Sequence, residues 1–263
     1  MPEVQAIVIR HDTGYQRHIA SESSFPAVFF LEQRAQRRIC VATLISPQWA
    51  LTAAHCTEET ALGETLAQGQ TYPVQIGGQQ RQIAAAFIHP DYQYRYGAGS
   101  AQVEVDLALL RLQQPLTGLR AIPLYREFDE QNKVVTLLGW GYFGIGTLGV
   151  QVDDGRFRMA RNIIHTAASR LWFSFDDPRL PDSRAVELEG LPGLGDSGGP
   201  ALIDTPVGLQ LAGIAIGEQS AAGEARQGRY GAQGVYERIS LHQRWIDEVM
   251  SGAATEPAAA EEF

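Results

Sequence analysis

Short apolar runs separated by chain-breaking residues constrain this sequence most. Ala27-Val28-Phe29-Phe30-Leu31, Ile39 to Ile45, Val134 to Leu138, Leu171 to Phe175 and Leu209 to Ile216 are rich in β-branched or aromatic residues, and turn-forming residues bound each of them. Glycine, at 27 of 263 residues, and 13 prolines supply the breaks. Runs of about 4–8 residues suit strands better than helices, and many of them in series predict an all-β fold built from barrels or sandwiches. One helix is expected, over Leu241 to Met250. Ser240 followed by Gln243 has the form of a capping box, and Leu241, Trp245, Ile246 and Val249 share one helical face. Residues 251–263, dominated by Ala and Glu, are expected to form a disordered tail.

Charge and cysteine usage remove several functions. Twenty-one basic against 30 acidic residues leave a net charge of −9, which argues against a nucleic-acid partner. No apolar run approaches the ~18 residues of a membrane-spanning helix. The two cysteines, Cys40 and Cys56, form no CxxC pair, and His11, His18, His89, His165 and His242 show no metal-ligand spacing. Neither a metal nor another cofactor is therefore expected. Met1 to Arg10 has no charged start and no small-residue cleavage site, so no signal peptide is visible there.

Three segments carry chemistry, in the order His, Asp, Ser. In Gly195-Asp196-Ser197-Gly198-Gly199-Pro200, a serine sits in a glycine-rich turn that can aim backbone N–H groups at one point. The N–H groups of Gly195 and Ser197 could hold a developing oxyanion, an effect of roughly 3–4 kcal/mol per donor. In Val105-Asp106-Leu107-Ala108-Leu109-Leu110, a carboxylate lies in an otherwise apolar run. If that run is a buried strand, Asp106 needs a partner. Leu51-Thr52-Ala53-Ala54-His55-Cys56 offers one: an imidazole that Asp106 orients and that takes the proton of the Ser197 hydroxyl. Each segment alone has an ordinary reading, as a turn, an outward-facing aspartate or a structural histidine. The three together point to nucleophilic catalysis.

These segments, supported by Leu44-Ile45-Ser46-Pro47-Gln48-Trp49, His89-Pro90-Asp91-Tyr92, Gly139-Trp140-Gly141 and Gly234-Val235-Tyr236, resemble the trypsin-like serine endopeptidases of the chymotrypsin fold. The spacings, 51 residues from His55 to Asp106 and 91 from Asp106 to Ser197, suit that family. The resemblance implies a single peptidase domain over residues 1–250, with a first six-stranded barrel over about 19–118, a second over about 119–239 and a C-terminal helix. It implies hydrolysis of protein or peptide substrates through an acyl-enzyme, in a secreted or periplasmic, bacterial member. A catalytically inactive homologue acting as a binding module is the alternative.

The resemblance also pairs Cys40 with Cys56. Independently of it, closing a loop of about 15 residues is worth roughly 3 kcal/mol and would anchor the turn carrying His55; two free core thiols are the other possibility. A disulfide implies an oxidising compartment. Leu191 falls where an acidic residue would select Arg or Lys, and Gly234 falls on the wall of the same specificity pocket, so cleavage after apolar or aromatic residues is expected. Glu218, near the rim, could restore some preference for basic residues. Where the family often has a hydroxyl residue and then a tryptophan along the pocket, this chain has Ile216 and Gly217, which leaves the support of Asp106 unexplained. Asp196 is the family's activation carboxylate, normally met by a new N-terminal Ile or Val amine. Here the nearest candidate for that amine is Ile19, on a short tether. The expectation is instead that an internal cation, Arg38 or a histidine, meets Asp196, with no cleavage needed.

Overall fold

The computed structural model describes residues 7–92, 104–152, 154–220, 223–224 and 227–252. The first half forms β1 (Val8–Ile9), β2 (Val28–Arg34), β3 (Arg37–Ser46), β4 (Trp49–Thr52), β5 (Tyr72–Ile76), β6 (Gln79–Ile88) and β7 (Ala108–Leu112). Two short helices, α1 (Cys56–Glu59) and α2 (Leu62–Ala67), lie between β4 and β5. The second half forms β8 (Val134–Gly139), β9 (Phe143–Ile145), β10 (Gly149–Val152), β11 (Arg158–Ala167), β12 (Arg170–Ser174), β13 (Gly190–Leu191), β14 (Pro200–Thr205), β15 (Gly208–Gln219) and β16 (Gln233–Arg238), then α3 (Gln243–Met250).

Six strands in the order β2-β3-β4-β7-β6-β5 make the first barrel, with β2 and β5 lying against each other. The second barrel is closed, in the order β11-β12-β16-β15-β14-β8. Alternation drives this layout. In β5, Tyr72, Val74 and Ile76 are buried while Pro73 and Gln75 are exposed, and a proline is tolerated because β5 ends the hydrogen-bonded order. Residues Ile39 to Ile45 of β3 are all buried. Each of the five apolar runs named above forms most of a strand.

The N-terminal segment joins the second half of the molecule. Val8 and Ile9 pair with Leu191 and Gly190 of β13 and with β9, in a small four-stranded sheet, β10-β9-β1-β13. Ile7, Val8 and Ile9 are at most 1% exposed and pack in the core of the second barrel. Val4 to Ala6 and the tail from 253 onward lie outside the described residues.

The expected capping box at the C-terminal helix does not form. Residues Ile239–Leu241 make a 3-10 turn, and α3 begins only at Gln243. The Ser240 hydroxyl donates to Glu130 Oε1 at 2.5 Å, in a buried cluster with Arg238, so it is unavailable to cap. Ile246 and Val249 are buried as expected, whereas Leu241 is exposed because it belongs to the 3-10 turn.

Candidate active site

A cleft of about 450 Å³ brings together His55, Gly195, Ser197, Ile216 and Glu218. His55 leaves β4 through the wholly buried Ala53 and Ala54, whose small side chains let the chain turn tightly before α1. Cys40 on β3 and Cys56 at the start of α1 form a disulfide, with Cα atoms 5.8 Å apart, which ties the residue after His55 to the barrel wall. Replacing both cysteines with alanine is expected to lower unfolding stability by roughly 3 kcal/mol, read as a lower denaturant midpoint.

Asp106 lies not within a strand but in the irregular stretch 104–107 just ahead of β7. It can therefore turn both carboxylate oxygens to one residue. Oδ1 accepts the backbone N–H of His55 at 2.9 Å, and Oδ2 meets Nδ1 of the same ring at 2.5 Å. Burial works to lower the imidazole pKa, but the hydrogen bond and charge of Asp106, with Glu59 and Glu58 nearby, outweigh it and raise the pKa above 6.5. An Asp106 oxygen on Nδ1 fixes the proton there and leaves Nε2 as the acceptor. Among the described residues no hydrogen bond joins the Ser197 hydroxyl to His55; such bonds commonly close only with a substrate in place.

The turn before β14 is built around two glycines in the left-handed region, Gly195 (φ 96°) and Gly198 (φ 79°). A Cβ on Gly198 would lie 2.1 Å from the Val41 carbonyl oxygen, so only glycine fits. The Ser197 carbonyl accepts from Val41, and the Gly198 N–H donates to Ala215. Among the described residues the N–H groups of Gly195 and Ser197, two residues of the cleft lining, have no acceptor.

Asp196 is 1% exposed. Burial pushes its carboxyl up to about 7 against the N–H groups of Gly141 and Gly193, which donate at 2.9 and 3.1 Å, the charge of Arg158, and the backbone N–H of Ile7. The expected internal cation is not Arg38. Its Nη1 donates to Gln36, and its guanidinium stacks on Phe30. Ile19 does not reach Asp196 in the intact chain either, since its N–H donates to the Gln16 carbonyl. Arg158 spends both terminal nitrogens on Asp154. The residue brought to Asp196 is Ile7, whose backbone N–H donates to that carboxyl.

The specificity residues also sit differently from expectation. Leu191 is wholly buried in β13, and neither it nor Gly234 lines the cleft. A Cβ on Gly234 would meet Leu191 Cδ2 at 3.0 Å and Pro192 Cδ at 3.1 Å, so these two side chains pack closely against Gly234. Glu218, paired in register with Gly234, lines the cleft, and its Oε1 accepts the Gly228 N–H at 2.8 Å. Cys40, His55 and Cys56 are the one set of clustered metal-donor atoms among the described residues, and both sulfurs belong to the disulfide.

The family model described as Trypsin matches residues 15–246. An uncharacterized peptidase of Corynebacterium glutamicum (strain R) is 27% identical over 215 residues, which are 79% of this chain and 62% of that protein. Granzyme M of Homo sapiens is 31% identical over 181 residues, 64% of this chain and 65% of its own. Transmembrane protease serine 9 of Rattus norvegicus is 30% identical over 83% of this chain, but the match spans only 20% of its length. The chain thus spans under two thirds of these relatives. The solved structure of neuropsin, a serine protease expressed in the limbic system of mouse brain, superposes with a TM-score of 0.61 at 21% identity, covering 89% of this chain and 98% of that one, a likeness of fold.

Proposed function

Because this chain belongs to the trypsin family, we propose that it is a serine endopeptidase that cleaves peptide bonds through an acyl-enzyme. The observation that carries the reading is the doubly bonded His55–Asp106 pair, with His55 in one cleft with Gly195 and Ser197, whose N–H groups have no acceptor among the described residues. Ser197 Oγ attacks the scissile carbonyl carbon while His55 Nε2 takes its proton. The carbonyl oxygen becomes an oxyanion held by the N–H groups of Gly195 and Ser197. Collapse breaks the C–N bond, and the imidazolium returns the proton to the leaving amine. Water then repeats the sequence on the ester, releasing the acid and restoring Ser197. Asp106 keeps the imidazole in the productive tautomer throughout. The disulfide fits action in an oxidising compartment, as a secreted or periplasmic enzyme.

The test is covalent. An organophosphonate probe is expected to label Ser197, located by peptide mass, in a preparation that turns over casein. Absence of both label and turnover would favour a binding module built on the same barrels.

The residue before the scissile bond is proposed to be apolar or aromatic, because Pro192, Ala215 and Ile216 line the cleft. Glu218 modulates this. Burial pushes its carboxyl up to about 7 against the Gly228 N–H, so it is neutral below that pH and charged above it. A cationic substrate side chain gains a partner only in the charged form. The ratio of Arg-substrate to Leu-substrate kcat/KM is therefore expected to rise as pH passes upward through about 7. In Glu218→Gln that ratio should stay flat.

Activation is proposed to run through Asp196. A chain beginning at Ile7 would carry its α-ammonium where the Ile7 N–H now acts on that buried carboxyl. The ion pair would lock the turn bearing the Gly195 and Ser197 donors. Such a chain is expected to exceed the Met1 chain in kcat/KM by roughly 10²-fold, about the effect of one oxyanion donor. Equal rates for the two chains would mean that backbone N–H groups suffice.

A further inference from the structure

Ile216 stands where a hydroxyl was expected beside Asp106, and the support of that aspartate comes from behind it. Glu237 of β16 is 1% exposed, and its Oε1 accepts the backbone N–H of Asp106 at 3.0 Å. The same oxygen accepts from Arg170 Nε at 3.2 Å and lies 3.1 Å from Arg170 Nη2. Arg170 Nη2 also donates to the carbonyl of Glu104 at 2.6 Å. Arg170 and Glu237 are direct cross-strand partners in the pairing of β12 with β16. Two strands of the second barrel thus hold the main chain of the first on either side of Val105. His55 and Asp106 come from the first barrel and Ser197 from the second, so the grip sets one part of the site against the other.

We propose that Glu237 and Arg170 are a positioning pair for the proposed hydrolysis, holding Asp106 across the barrel interface in place of the absent hydroxyl. The inference rests on the catalytic roles given above. A hydroxyl at the pocket strand would reach the aspartate as a neutral donor. This pair acts instead on the peptide backbone, and it brings charge. Facing Glu237 are the Asp106 carboxylate, the Arg170 cation and His242, whose Nε2 lies 3.8 Å from Oε2. Burial and the neighbouring His89 push the His242 pKa down to about 4, so it is neutral at pH 7. The net charge of the pair beneath the triad is therefore close to zero while both members are ionised.

Three variants test this: Glu237→Gln, Arg170→Gln and the double variant, each assayed for kcat, KM and the pH dependence of kcat/KM beside thermal stability. Glutamine can still accept the Asp106 N–H but leaves Arg170 unopposed, which disfavours the imidazolium. The acid limb is expected to move to lower pH. Arg170→Gln leaves Glu237 unopposed, and the limb should move to higher pH. In the double variant the limb should return to its original place, while kcat falls roughly tenfold at unchanged KM because charge-assisted bonds are lost. If a single variant does not fold, the double variant, which buries no lone charge, decides alone through that kcat loss. Unshifted acid limbs with only lower melting temperatures, or a double variant with full kcat, would overturn the proposal. Its failure is distinct from failure of the hydrolase reading, in which the unaltered protein would itself neither label nor turn over substrate.

Discussion

Ser197→Ala is expected to lower kcat on a peptide substrate by about 10⁶-fold, the scale on which a serine nucleophile and its base act as one unit. The loss is large because nothing else in the cleft can replace the attacking oxygen. Catalysis above the uncatalysed rate, roughly 10³–10⁴-fold, should survive, since the N–H groups of Gly195 and Ser197 belong to the backbone and remain in place. Substrate binding should change little, because the Oγ acts in bond formation and the rest of the cleft lining is unaltered. Steady-state kinetics with a chromogenic peptide, beside titration with the organophosphonate, measures both quantities. Residual activity within tenfold of the unaltered protein would remove Ser197 from its role.

Asp106→Asn is expected to cost about 10⁴-fold in kcat near neutral pH. The geometry gives the reason. Two N–H groups of His55, one from the backbone and one from the ring, face the two carboxylate oxygens. An amide offers one acceptor and one NH₂. If the oxygen keeps the backbone N–H, the NH₂ confronts Nδ1, and the ring must shift its proton to Nε2, the atom that should accept from Ser197. The raised imidazole pKa that Asp106 sustains should also fall. The loss should appear in kcat with KM little changed and with folding intact, since the Cys40–Cys56 disulfide and the β3–β4 pairing do not depend on the charge. A loss below tenfold would show that Asp106 does not govern the tautomer.

Much of this site was legible in one dimension. The short apolar runs became strands because alternation and β-branching act between near neighbours. Gly198 was recognisable because its left-handed backbone and contact with Val41 allow no other residue, and a motif records such a constraint directly. His55, Asp106 and Ser197 were singled out as the proposed triad by residue type and order, since that chemistry requires an oriented imidazole between a carboxylate and a hydroxyl.

Other features depended on what faces what across the fold. Leu191 was expected on the pocket floor, yet its register against Val8 buries it and leaves Glu218 on the cleft wall. Ser240 had the form of a cap, but the buried carboxylate of Glu130 claimed its hydroxyl. Arg38 was a plausible partner for Asp196 until Phe30 and Gln36 were seen to occupy it.

The sequence alone determined the strand-rich class and offered His55, Asp106 and Ser197 as the proposed triad, because local periodicity and reactive-group chemistry are carried by residue type. Only the tertiary structure decided that the Ile7 N–H reaches Asp196 and that Glu237, 131 positions from Asp106, accepts its peptide N–H. The physical reason is that burial makes these partners matter. A carboxylate taken out of water must find donors, and which donors lie within 3 Å follows from strand register and barrel packing, not from proximity along the chain.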